Sequence, residues 1–313
     1  MLNIVEELLK AVHKDSEKYK LYNGHDVLYL PLHVPMGISL LQFMQDFFYK
    51  YISLLNDNNK ILVECGIKDV SSITKIVSEF RDAYLKMHNE ILSGNANTAY
   101  DDMENFLKEE YFIKTKIDSN NSPTLYRART GNNYTQKEDF YHIPFNKTYL
   151  CNSYRFSIAG YPTLYLGYTK EVCKKEIRGK EGSCIEMALK GEFDIIDLTW
   201  DNTSKKSASV FLCAYPIIAA CYVVPFFCKH LNKECTEIYP KYKEQYIFPQ
   251  FITMYIKRHL GVKGIKYFTT RDDNLDPSKN DSKNLALFPQ YTSNGLYDME
   301  LIDRFVFGKV SII

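Results

Sequence analysis

The 313-residue chain contains no Cys-x-x-Cys pair and no Cys/His run at metal-ligand spacing, which argues against a zinc centre. It also has no Walker loop, no GxGxxG fingerprint and no internal repeat, so P-loop nucleotidases, Rossmann dinucleotide sites and solenoids are excluded. Charge of either sign is not in excess. The 39 Lys and Arg against 38 Asp and Glu leave a formal +1, which gives no electrostatic case for a nucleic-acid groove or an anionic membrane surface. The opening MLNIVEELLKAVHKDSEK carries acids early and lacks an apolar core segment, so it does not read as a signal peptide. Arginine is scarce, with 8 residues beside 31 lysines. A chain that uses lysine for generic positive charge keeps arginine where planar, bidentate donors are wanted, as on phosphates and carboxylates. Arg127, Arg129, Arg155 and Arg178 lie close together in sequence.

What is present fits a globular protein long enough to bury a core without disulfide staples. The 8 cysteines are scattered, several inside apolar runs (Cys213, Cys221, Cys228), and read as small buried hydrophobes in a reducing cytoplasm. One uncharged run, VFLCAYPIIAACYVVPFFC (210–228), approaches membrane-spanning length. Pro216, Pro225 and the low leucine content favour a buried, proline-interrupted helix or a helix–strand pair over a span, so no membrane partner is expected.

Residues 1 to about 115 show mostly helical periodicity, in NIVEELLKAVHK, GISLLQFMQDFFYKYISLL, DVSSITKIVSEFRDAYLKMHNEIL and AYDDMENFLKEEY. The aromatic and methionine stripes in these segments read as core. From about residue 122 the pattern changes to short strand-like runs: SPTLYRAR, YRFSIAG, TLYLGY, FDIIDLTW, GIKYFTT, KNLALF and RFVFGKVSII. Two helices interrupt them, TKEVCKKEI with a threonine N-cap signal and QYIFPQFITMYIKRHL with Gly261 just past its end. Strands and helices do not alternate, so the expected class is α+β, with a helical domain (1–118) before a mixed-sheet domain (119–313).

Chemistry concentrates in YRFSIAGYPTLYLGYTKEVCKKE, residues 154–176. Read as strand, turn, strand and helix, it sets Arg155 and Ser157 on one strand face and Tyr165 with Gly167 on the next. Glu176 follows seven residues after the Thr169 cap. Gly160 and Pro162 fix the turn. Such a segment would aim a cation, an aromatic wall and an acid at one cleft. Each residue also has a plain reading. Glu176 alone is a solvated helix carboxylate, Arg155 an ion-pair partner of Glu171 or Glu176, His142 structural or at a site rim, and 271–284 a loop.

LYRAR (125–129), FYHIPF (140–145), the 155–176 segment and GIKYFTTR (264–271) resemble, in order and spacing, the RES domain family, in a long form with an N-terminal helical extension. The resemblance covers roughly residues 122–313. That family, named for an arginine, a glutamate and a serine, is associated with bacterial toxins of toxin–antitoxin pairs and has a fold related to ADP-ribosyltransferase toxins. Its studied members degrade NAD+ with phosphate as acceptor or attach ADP-ribose to a protein. The resemblance implies Arg127, Glu176 and Thr269 as catalytic residues, with Arg155, Tyr165, Ser157, Thr270 and Tyr126 contacting the substrate. It also implies NAD+ as substrate, inorganic phosphate as co-substrate, no metal or prosthetic group, and an antitoxin or regulatory protein as partner. Thr269 stands where the family has serine, adding a methyl group, and Thr270 is the alternative hydroxyl. Other readings of the same residues are a protein ADP-ribosyltransferase and a non-catalytic nucleotide-binding module.

Overall fold

The computed structural model describes residues 2–15, 17–22, 24–120, 124–199, 207–225, 243–271, 280–293 and 295–313. It is an α+β protein whose chain divides into two compact units, one of residues 1–111 and 203–251, the other of residues 112–202 and 252–313. The expected boundary at 118/119 differs from this division in two ways. The segment 112–118 belongs with the sheet, and 203–251 returns to the helical unit.

The first unit contains helices α1 (Leu2–Lys14), α2 (Leu40–Asp57), α3 (Asn59–Glu64), α4 (Val70–Leu92), α5 (Ala96–Phe106) and α7 (Ala208–Cys221). Caps set where the long helices start: the Ser39 hydroxyl accepts from the Gln42 amide at 3.1 Å and the Asp69 carboxylate from the Ser72 amide at 3.0 Å. Their periodic faces form an aromatic core, with Phe48 edge-on to Phe80 and Tyr84 at 5.5 and 5.7 Å. The apolar run 210–228 supplies α7, which is buried and contains Pro216. It continues into strand β7 (Val223–Pro225), which pairs in parallel with β1 (Leu32–Val34); residues 226–228 lie outside the described residues. Among the described residues no helix is long and apolar enough to cross a membrane.

The second unit is built on an eight-stranded sheet of β2 (Lys114–Asp118), β3 (Leu125–Thr130), β4 (Leu164–Gly167), β5 (Gly182–Leu189), β6 (Glu192–Asp197), β8 (Gly264–Phe268), β9 (Lys283–Leu287) and β10 (Phe305–Ile312). Its order is β10-β5-β3-β4-β9-β8-β6-β2, antiparallel except for the β6–β8 pair. Alternation sends Leu125, Leu164, Leu166, Ile185, Met187, Leu285 and Leu287 into one hydrophobic core with Phe140 and Phe305. Helix α6 (Lys170–Glu176) packs on β3, β4 and β5. Helix α8 (Ile247–His259) crosses the boundary between the units at 251/252, and a short α9 (Met299–Ile302) precedes β10.

Two strands of this sheet, β2 and β5, were not among those expected, nor was β1 of the first unit, and the strand expected at YRFSIAG is absent. YRFSIAG forms a tight turn, in which Tyr154 and Ser157 exchange backbone hydrogen bonds of 3.2 Å in both directions. That closure uses the amides and carbonyls a strand would offer a neighbour, so Arg155 and Ser157 do not alternate along a strand face.

Candidate active site

Helix α6 carries the central carboxylate, and three local features set its place. The Thr169 hydroxyl accepts from the Val172 amide at 3.2 Å and starts the helix. Val172 and Cys173 are buried. Gly167, at the end of β4, lets the helix approach closely: a Cβ there would stand 2.8 Å from the Cys173 sulfur and 3.3 Å from Val172 Cγ1. The Cys173 thiol donates to the Tyr126 carbonyl at 3.4 Å, tying the helix to β3. The neighbouring Cys184 thiol, together with burial, pushes the Cys173 thiol up, and the Glu176 charge adds to this.

Glu176 lies at the solvent-exposed end of α6. Its Oε1 accepts two hydrogen bonds, from Thr269 Oγ1 at 2.7 Å and from Asn284 Nδ2 at 2.6 Å. Both donors are buried, Thr269 at 0% and Asn284 at 3% exposure. Thr269 follows β8, where its amide donates to the Ser282 carbonyl at 2.7 Å and its hydroxyl oxygen also accepts from the Arg271 amide at 3.2 Å. Of the two adjacent hydroxyls, Thr269 is the one on the glutamate, while Thr270 is half-buried. Asn284 sits on β9 opposite Gly167 and Tyr267.

The arginines form a second group. Strands β3 and β4 pair at one position, Tyr126 with Gly167. Beyond it the Arg127 guanidinium donates to the Tyr165 carbonyl at 2.9 Å and the Tyr141 carbonyl at 3.4 Å. Burial, with the Arg129 charge added, pulls Arg127 down to about 9, which leaves it cationic at neutral pH. Strand alternation puts Tyr126 on the opposite face of β3 from Arg127, and there the Lys170 ammonium lies 5.8 Å from the Tyr126 ring centroid. Tyr165 is met edge-on by Tyr154 at 5.8 Å. Arg155, in the adjoining turn, is 8% exposed. Ser157 is buried, and its hydroxyl donates to the Tyr161 carbonyl at 3.1 Å. Gly160 takes a positive φ of 81° in the turn that follows.

The structure therefore joins Glu176 directly to Thr269, and Arg127 to the backbone of Tyr165. Register sets Tyr126, Gly167 and Asn284 on the face of the sheet that meets α6, and Arg127 with Leu125 and Ile185 on the other, and among the described residues no hydrogen bond or ion pair joins Arg127 to Glu176. His142 is structural, because both ring nitrogens serve the backbone. Nε2 accepts from the Asp298 amide at 2.9 Å, which makes Nδ1 the donor to the Ile143 carbonyl at 2.8 Å. Burial lowers the His142 pKa, in keeping with a neutral ring. Of the expected loop 271–284, residues 283 and 284 instead begin β9, and 272–279 lie outside the described residues. Sequence reasoning did not select Asn284, although a buried amide inside the otherwise apolar NLALF is the signal that marks it.

Over 260 residues the chain is 28% identical to the protein named "Putative toxin YopC" from Bacillus subtilis (strain 168). The alignment covers 73% of this chain and 55% of that protein, so the chain spans about half the length of the relative it matches. No family model matches the chain. No solved structure matches it either.

Proposed function

We propose that the sheet-containing unit is an ADP-ribosyltransferase-like, RES-type enzyme that cleaves the nicotinamide–ribose bond of NAD+, with inorganic phosphate as acceptor, and that the protein acts as a toxin-type effector. The observation that carries this reading is the anchored carboxylate: an exposed glutamate with one oxygen fixed by two buried donors. Likeness to a protein bearing a toxin name supports the effector reading. An antitoxin or regulatory protein is the matching partner.

In the proposed reaction the C1′–N bond of the nicotinamide ribose breaks early, and nicotinamide leaves as the neutral base with the bonding electron pair. Positive charge then spreads over C1′ and the ring oxygen, and a phosphate oxygen forms the new bond to C1′, giving ADP-ribose 1″-phosphate. Glu176 lies against that developing cation, where a preoriented carboxylate lowers the barrier. Thr269 and Asn284 hold it still. Arg127 and Arg155 bind the pyrophosphate. The Tyr165 ring supplies a flat wall for nicotinamide.

Purified protein incubated with NAD+ and phosphate should release nicotinamide, and Glu176→Gln should reduce the rate by at least about a hundredfold, the range of a lost transition-state electrostatic partner. Unchanged turnover in Glu176→Gln would remove the assignment. If the adenylate label appears in a protein band instead of a small product, the acceptor is a side chain and the reaction is ADP-ribosylation.

A further inference from the structure

Arg127 and Arg129 both reach the Tyr141 carbonyl, through their Nη2 atoms at 3.4 and 3.2 Å, so two guanidinium groups converge on one oxygen. Both residues are half-buried. Among the described residues neither has a carboxylate within 4.0 Å, and their partners are the carbonyls of Tyr165 and Tyr141. The Tyr134 ring lies 5.4 Å from the Arg129 guanidinium carbon. The Nε atoms of both arginines are buried and make no hydrogen bond among the described residues.

Two like charges held together without a counter-ion are unfavourable, since each loses hydration and neither is neutralised. Two carbonyl dipoles do not offset two full charges. Each guanidinium carries about five N–H donors, and among the described residues the pair makes three hydrogen bonds. Most of their donor capacity is therefore left over, together with roughly twice the charge of one arginine. A ligand that fits this remainder has two negative charges and several acceptor oxygens in a small volume. A carboxylate offers one charge and two oxygens, whereas a phosphate group offers more of both.

From the convergence of these side chains we infer that Arg127 and Arg129 together form a phosphate-binding subsite, in which Arg129, so far without a role, supplies the second cation. The inference stands on the pair itself and rests on the NAD+ reading only for the source of the phosphate. That source is free inorganic phosphate or the pyrophosphate of the dinucleotide.

The test is calorimetric titration of the full chain with inorganic phosphate and, separately, with ADP-ribose, ionic strength being held constant with sodium chloride. Wild type is compared with Arg129→Gln and Arg129→Lys after circular dichroism confirms folding. At least one ligand should bind wild type and lose roughly tenfold or more in affinity in Arg129→Gln, the loss expected for a charge-assisted hydrogen bond. Arg129→Lys, which keeps the charge and loses the fork, should fall between them, and it carries the comparison if the glutamine variant does not fold. If ADP-ribose is weakened and inorganic phosphate competes with it, the subsite takes the pyrophosphate. If only inorganic phosphate is weakened, the subsite holds the acceptor. Binding of neither ligand by wild type, or wild-type affinity for both in Arg129→Gln or Arg129→Lys, overturns the inference. A chain that binds phosphate through Arg129 yet releases no nicotinamide would keep this subsite and lose the NAD+ reading.

Discussion

Replacing Thr269 by valine keeps the branched shape of a fully buried side chain and removes its hydroxyl. Two contacts disappear: the 2.7 Å bond to Glu176 Oε1 and the acceptor for the Arg271 amide at 3.2 Å. Asn284 alone then holds the carboxylate. A hydrogen bond to a charged group contributes about 1.5–3 kcal/mol, and exposure of Glu176 places the expected effect at the lower end. If the orientation of Glu176 matters in the transition state, about 1.4 kcal/mol lowers kcat roughly tenfold. Thr269→Ser makes the opposite cut, keeping the hydroxyl and removing a buried methyl. Its stability should fall by about 1 kcal/mol, while its rate stays within about twofold to threefold of wild type. The assays are nicotinamide release under saturating NAD+ and phosphate, and thermal unfolding of the same preparations. The reasoning is refuted if Thr269→Val turns over like wild type, or if Thr269→Ser is the slower variant. Because Thr269 and Asn284 share one oxygen, Thr269→Val and Asn284→Leu should combine non-additively in kcat.

Gly167→Ala should destabilise the protein by about 1–3 kcal/mol, because its methyl group would lie 2.8 Å from the Cys173 sulfur. Adding Cys173→Ala should restore part of that loss in thermal unfolding, and no recovery would mean the helix–strand contact is misassigned. In the helical unit, burial lowers the His88 pKa to about 4 from 6.5, so the unfolded chain binds the proton more readily. Stability contributed by neutral His88 is thus complete above about pH 6.5 and is lost as pH falls toward 4, by roughly 3 kcal/mol. His88→Leu should flatten that part of the stability–pH curve measured by denaturant unfolding. Glu244, 3.8 Å away with its own pKa raised by burial, acts in the opposite sense and remains in the variant.

Local signals made part of this protein legible. Thr169 followed by Val172 marks the start of α6, and LYLG marks β4, because caps and apolar alternation act over a few residues. The turn at 154–157 was hidden by strand-forming residues: Tyr, Phe and Ile favour extended structure unless the backbone pairs with itself, as it does here. Strand β5 was hidden for the converse reason, since Gly182, Ser183 and Glu186 dilute a run whose neighbours β3 and β10 supply the pairing. The return of residues 203–251 to the helical unit leaves no local mark. It depends on contacts such as the Tyr51 hydroxyl donating to the Leu212 carbonyl at 2.9 Å, 161 positions apart.

The same distinction explains why Glu176 alone looks like an ordinary surface residue. A glutamate at an exposed helix end has several freely rotating bonds, and fixing them carries an entropic penalty that a lone solvent contact does not offset. Here the penalty is met by donors 93 and 108 positions away, on or beside strands that cannot move independently of the sheet. A buried amide donating to an exposed acid links the two: removing the acid leaves Asn284 Nδ2 without this acceptor, and removing the amide leaves the acid with Thr269 as its donor. In the proposed reaction the same two donors hold the carboxylate in one orientation, as a preorganised charge requires.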